Sequence, residues 1–229
     1  MIIFMNNQPE YQPSLKSRAI KASLWTMSGF AVSQLVRLIS NLIITRLLVP
    51  EMFGVMALSQ VFLYIIALIS DIGINSSIVK SDRGDDVRFL NTAWTLQILR
   101  GAILTIAIML VAMGIRVADG ADIFNIGSAY SAPELPLVLA ALSVSTLIVG
   151  FNSTNIVLAN RKLWLGKLTV LELISQIFGI VVMITWALID KSIWALVAGS
   201  LSTSMMFMIF SHTAFPGTRN RLAWDNSAF

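Results

Sequence analysis

Apolar residues run along this chain in long stretches separated by short polar punctuation. Six stretches are long enough to cross about 30 Å of hydrocarbon as helices. They lie near Ala22–Ile44, Met52–Ile72, Ala93–Ile115, Leu135–Leu158, Leu168–Ile189 and Ile193–Ser211. None alternates strictly as a barrel strand does, and a helix satisfies its own backbone in lipid. The pattern predicts an all-α fold: a polytopic membrane helix bundle of about six transmembrane helices. Pro9, Pro13, Pro50, Pro133, Pro136 and Pro216 all fall outside the stretches or at their edges, where proline punctuates helices rather than kinking them. Trp25, Trp94, Trp164, Trp186 and Trp194 lie near the proposed ends, as an aromatic belt requires.

Composition strengthens this reading. Only 12% of the residues are charged, against about 25% in a soluble domain, so most of the surface must face lipid. The pI near 9.7 is compatible with nucleic acid, but the basic residues cluster in the loops between spans, and no nucleic-acid partner is expected. Lys16, Arg18, Lys21, Lys80, Arg83, Arg88, Arg161, Lys162, Lys167, Arg219 and Arg221 fall on one side, and Arg46, Arg116 and Lys191 on the other. This 11 to 3 division puts both termini in the cytoplasm by the positive-inside rule. The expected organisation is a cytoplasmic segment over 1–21, a six-helix lobe over 22–211 and a cytoplasmic tail over 212–229. The apolar start, Met1 to Met5, is too short for a signal-peptide core.

Candidate chemistry is sparse. With no cysteine and one histidine, His212, metal clusters and the usual nucleophile–base pairs cannot be assembled. No G-x-S-x-G elbow, H-E-x-x-H or phosphate-binding G-x-x-x-x-G-K-[ST] loop occurs. No enzyme activity, cofactor or metal is expected. The N-x-[ST] matches at Asn75 and Asn152 lie in or beside spans, so glycosylation is not implied.

Ionisable residues inside spans are expensive and are functional candidates by default. In the first span, Ser23, Thr26, Ser33, Gln34, Arg37, Ser40 and Asn41 recur at helical spacing and form one polar stripe. Arg37 lies about 13 Å along the helix from Arg46, a long way to snorkel. It either faces a water-filled cavity or pairs with Asp71 or Glu172 as a lock between helices. Gln60, Tyr64, Asp71 and Asn75 share a face of the second span, and Glu172, Ser175, Gln176 and Gly179 a face of the fifth. Asp71 and Glu172 are also placed to be ordinary interfacial carboxylates. Arg100 sits a turn inside the third span, where snorkelling and a functional role both fit. The small residues Ser143, Thr146, Gly150 and Ser153, and Gly199, Ser200 and Thr203, mark close helix packing.

At the end of the first span stands Thr45-Arg46-Leu47-Leu48-Val49-Pro50-Glu51-Met52-Phe53-Gly54. It resembles the R-L-L-x-P-E-x-F-G segment of bacterial polysaccharide flippases, the Wzx-like branch of the MATE and lipid-flippase superfamily. Asp71-Ile72-Gly73-Ile74-Asn75, Phe89-Leu90-Asn91-Thr92-Ala93-Trp94, and Asn160-Arg161-Lys162 ahead of Leu171-Glu172 resemble later segments of that family, in order. The resemblance covers nearly the whole chain from Ser14.

It implies one lobe of a two-lobe MATE-like transporter whose lobes rock about a central site. The implied cargo is a polyprenyl-pyrophosphate-linked oligosaccharide, carried across the bacterial inner membrane during lipopolysaccharide or exopolysaccharide export. Candidate cavity residues are then Arg37, Gln34, Asn41, Gln60, Tyr64, Asp71, Arg100, Glu172 and Gln176, with arginine supplying a fixed fork of donors to phosphate. Because the chain stops after the sixth span, the expectation is a truncated or half-size form that needs a second lobe or a homodimer partner. The alternatives are a MATE-like cation or drug antiporter, which would want a buried carboxylate or a bent first helix, and an inert membrane assembly subunit.

Overall fold

A computed structural model describes residues 15–70, 73–81, 83–120, 132–215 and 219–225. Among these residues every regular element is a helix: α1 Leu15–Ile44, α2 Pro50–Ile69, α3 Ile74–Lys80, α4 Val87–Gly120, α5 Leu135–Gly150, α6 Asn155–Arg161, α7 Leu165–Ile189 and α8 Trp194–Thr213. Five of them are apolar and long enough to cross a membrane, and the bent pair α5–α6 makes a sixth crossing. The chain is therefore a multi-pass membrane protein. Leu24, Met27, Phe30, Leu68, Ile69 and Leu110 are all more than half exposed. In water such a surface would be untenable, and in lipid it is the solvated one.

Pro50 begins α2, where its missing N–H leaves no bond unmade and its fixed φ suits the first turn. Pro136 does the same in α5. The 34 residues of α4 reach about 50 Å at 1.5 Å per residue, well beyond the hydrocarbon.

The fourth span was expected to be one continuous helix over Leu135–Leu158. It is instead broken: α5 stops at Gly150 and α6 leaves at 64° after Phe151–Thr154. A break inside lipid frees backbone groups that must find other partners, and side chains supply them. The Gln97 amide donates to the carbonyls of Val149, Gly150 and Asn152 at 3.1–3.2 Å. Trp94 Nε1 donates to the Phe151 carbonyl at 3.4 Å, and His212 Nε2 lies 2.8 Å from the same oxygen. The Ser153 amide donates to Ser211 Oγ at 2.9 Å. The lone histidine is thus a brace for a broken helix.

Two close approaches tie the helices together. Gly101 of α4 faces Gly150 of α5, where a Cβ on Gly101 would stand 2.9 Å from the Thr146 carbonyl and 3.2 Å from Gly150 Cα. Thr105 adds hydrogen bonds to the Ser143 carbonyl at 3.1 Å and to Thr146 Oγ1 at 2.8 Å. Gly179 of α7 meets Gly199 and Thr203 of α8 in the same way. Small residues let backbones approach and dispersion does the rest.

The main apolar core joins Ile44, Leu48, Val55 and Leu63 to Ile108, Ile115, Leu135, Leu139 and Leu196. Most lie toward the end of the bundle where α1, α4 and α7 finish and α2, α5 and α8 begin. The opposite end has two smaller apolar clusters, around Ile78, Phe89 and Leu90 and around Leu168, Leu171 and Phe215. That end gathers α3, α6 and the tail. Arg161 donates to the carbonyls of Ile78 and Ser81, Arg83 pairs with Asp86 and Asp225, and Arg161 and Lys162 reach Asp85. The loops expected to be basic and on one side do meet there.

Candidate functional site

Arg100 is the best-placed candidate. It lies three residues after Gln97, so both side chains leave the same face of α4. Gln97 is occupied by the broken helix, while Arg100 reaches across to α2. Its Nη2 donates to the Ala67 carbonyl at 2.8 Å, and Nε and Nη2 both lie 3.2 Å from Ser70 Oγ. These bonds cap the C-terminal turn of α2, where carbonyls lack helical partners and the dipole is negative. Among the described residues Arg100 forms no ion pair with a carboxylate.

Beside it lies a hollow of about 290 Å³ between α2, α4 and α5, with Gln60, Tyr64, Gly101, Ser145 and Thr146 on its walls. Three sequence candidates, Gln60, Tyr64 and Arg100, are thus brought together. The mix of apolar wall, a few hydroxyl and amide groups and one cation without a carboxylate partner among the described residues suits an amphiphile with an anionic group.

Glu172 and Gln176 are placed elsewhere, in a smaller cleft between α1 and α7 lined also by Thr26, Gly29, Ser33 and Thr169. There Ser33 Oγ donates to Gln176 Oε1 at 2.6 Å and Gln176 Nε2 donates to the Ser33 carbonyl at 3.1 Å. The polar face of the fifth span is spent, in part, on holding α1.

Gln34, Arg37 and Asn41 lie on an exposed face of α1. Arg37 makes no ion pair and no side-chain hydrogen bond among the described residues, so the lock with Glu172 is not formed here. Asp71 lies outside the described residues. The reason these faces separate is packing: α1 lies mainly on α7, whereas α2 lies mainly on α5. The first two helices, neighbours in sequence, thus take their main partners elsewhere in the bundle.

Sequence reasoning missed Gln97, Ser70 and Asn152. Gln97 had a signal, its i, i+3 spacing from Arg100. Ser70 had none, because its role comes from where α2 ends.

A family described as polysaccharide biosynthesis protein matches residues 43–229. No curated protein and no solved structure matches the chain.

Proposed function

From the premise that this chain belongs to the polysaccharide biosynthesis protein family, we propose that it is a flippase lobe for a polyprenyl-pyrophosphate-linked oligosaccharide. One observation carries the reading: Arg100, a cation without a carboxylate partner among the described residues, borders a mostly apolar hollow inside a helix bundle. A charge held there costs at least about 2.5–3.5 kcal/mol. A mobile anionic group recovers that cost when it arrives, and a permanent carboxylate would cancel it. The guanidinium keeps donors free after bonding Ala67 and Ser70, since Nη1 has no part in those bonds.

In this mechanism the lipid chain stays in the bilayer while pyrophosphate and sugars cross among polar groups. Arg100 meets the phosphate, and Gln60, Tyr64, Ser145 and Thr146 offer hydrogen bonds to sugar hydroxyls. Gln34, Arg37 and Asn41 form a second polar surface on α1, facing a second lobe or a second copy that closes the path. The basic end of the bundle, with both termini, is cytoplasmic by the positive-inside rule, and the membrane is the bacterial inner membrane. The process served is lipopolysaccharide or exopolysaccharide export.

The test is made in the producing cell. Removing the chain should make lipid-linked oligosaccharide accumulate while exported polymer falls. Arg100→Ala should fail to restore export and Arg100→Lys should restore it in part, because charge returns without the fork. Loss of the lipid-linked intermediate itself would point to a role in synthesis and contradict the proposal.

A further inference from the structure

A second hollow, of about 400 Å³, adjoins the first and shares Gln97, Arg100 and Val149 with it. It extends toward the basic end between α3, α4, α6 and α8, and its walls include Ser76, Lys80, Asn152 and Asn160. Two observations mark it out. Its wall carries two cations, Lys80 and Arg100, and no carboxylate, and neither cation is in an ion pair among the described residues. Asn152 is also on that wall, and its buried Oδ1 accepts no hydrogen bond among the described residues. An unbonded buried amide oxygen is costly, and a hydroxyl donor, such as a sugar carries, would satisfy it.

We propose that this recess is a separate binding station for a phosphorylated sugar. The phosphate is held between Lys80 and Arg100, and a sugar hydroxyl donates to Asn152 Oδ1. The substrate class rests on the flippase reading, but the station is its own site. Arg100 borders both hollows, so a phosphate leaving Lys80 toward the first hollow keeps one guanidinium as a neighbour. The two stations thereby order the path, with Lys80 first from the basic end and the Gln60–Tyr64 wall second. Lys80 is exposed, as a first point of capture should be. It closes the short helix α3, whose Ile74 and Ile78 pack on Phe89 and Val157, so its backbone is anchored.

A sugar attached to a polyprenyl phosphate and a soluble sugar phosphate present the same chemistry, and the experiment separates them. The full chain, in discs of zwitterionic lipid, is titrated with sulfate, with glucose 1-phosphate and with a polyprenyl-phosphate-linked glucose, and binding is read by calorimetry. Lys80→Ala should weaken the sugar ligands that bind by about tenfold, the value of one charge-assisted hydrogen bond, and Lys80→Arg should retain them. Asn152→Ala should weaken glucose-bearing ligands and leave sulfate, which has no donor, unchanged. Lys80-dependent binding of either glucose ligand supports the station, and the arm that binds names the source. Binding of neither, binding indifferent to Lys80→Ala, or equal weakening of sulfate and glucose 1-phosphate by Asn152→Ala would overturn it. Translocation is not read here, so the station can fail while Arg100-dependent flipping stands, and the reverse.

Discussion

Arg37 and Arg100 carry the same charge in long apolar helices, yet the fold treats them differently. Arg100 caps the end of α2 and borders both hollows, whereas Arg37 stays on an exposed face of α1. If Arg37 serves the path, Arg37→Ala should leave protein abundance unchanged while transport falls, and Arg37→Lys should recover part of it. Were it a lock with Asp71, alanine would strand a carboxylate at about 3–5 kcal/mol; abundance would drop, and Asp71→Asn would restore it. Leu163, in the turn between α6 and α7, holds φ at 59°, which costs a side chain with a Cβ about 1–2 kcal/mol. Leu163→Gly should raise the unfolding temperature in detergent and the β-branched Leu163→Val should lower it; the reverse order would deny the strain. That in-span arginines mark chemistry was legible from the cost of burying charge. Which arginine faces a hollow was not, because helical periodicity fixes a face without saying which helix lies opposite.

Helix identity followed from hydropathy, and five of the six spans run as single helices. The fourth did not, because an apolar window measures transfer free energy and is blind to a backbone break whose carbonyls are bonded by neighbours. The one available sign was the polar run Asn152-Ser153-Thr154-Asn155 after Gly150. At this scale the Gly101–Gly150 approach is the most sensitive joint. Gly101→Leu should push α4 from α5 and cut the yield of monodisperse protein, whereas Gly114→Leu, with nothing near its Cβ, should not. The tail forms a second joint. Its backbone amides at Arg221, Ala223 and Asp225 donate to Asn91 Oδ1, Thr95 Oγ1 and Thr92 Oγ1 of α4, and Arg83 clasps Asp225. At about 1 kcal/mol per bond, Asn91→Ala with Thr92→Val removes two bonds and should speed tryptic cleavage after Arg221 by roughly thirtyfold; an unchanged rate would show the tail is not held there. The same Arg83 hydrogen bond, with one from the Arg88 amide, holds the Asp86 carboxyl below its ordinary value. Asp86 thus stabilises the fold above the ordinary carboxylate range, and that contribution is lost as pH falls through its lowered value.

Across the whole molecule, the densest apolar core lies at the sparsely charged end, while both hollows and the gathered basic loops lie from mid-bundle toward the other. A bundle so arranged is firm at one end and hollowed toward the other, an asymmetry that fits the proposed passage of an anionic head group. On the proposed reading, the exposed Gln34, Arg37 and Asn41 of α1 give a face for a partner surface, since in secondary transporters the path lies between repeats. The most direct measurement is made in vesicles containing the chain purified from its own membrane with whatever accompanies it. A fluorescent polyprenyl-pyrophosphate-linked oligosaccharide is reconstituted in both leaflets, and an impermeant quencher is added outside. With wild-type protein the inner-leaflet signal should be lost over time, and with Arg100→Ala it should persist as it does in protein-free vesicles. Persistence with the wild type, or equal loss with Arg100→Ala, would contradict a flippase that works through this cation.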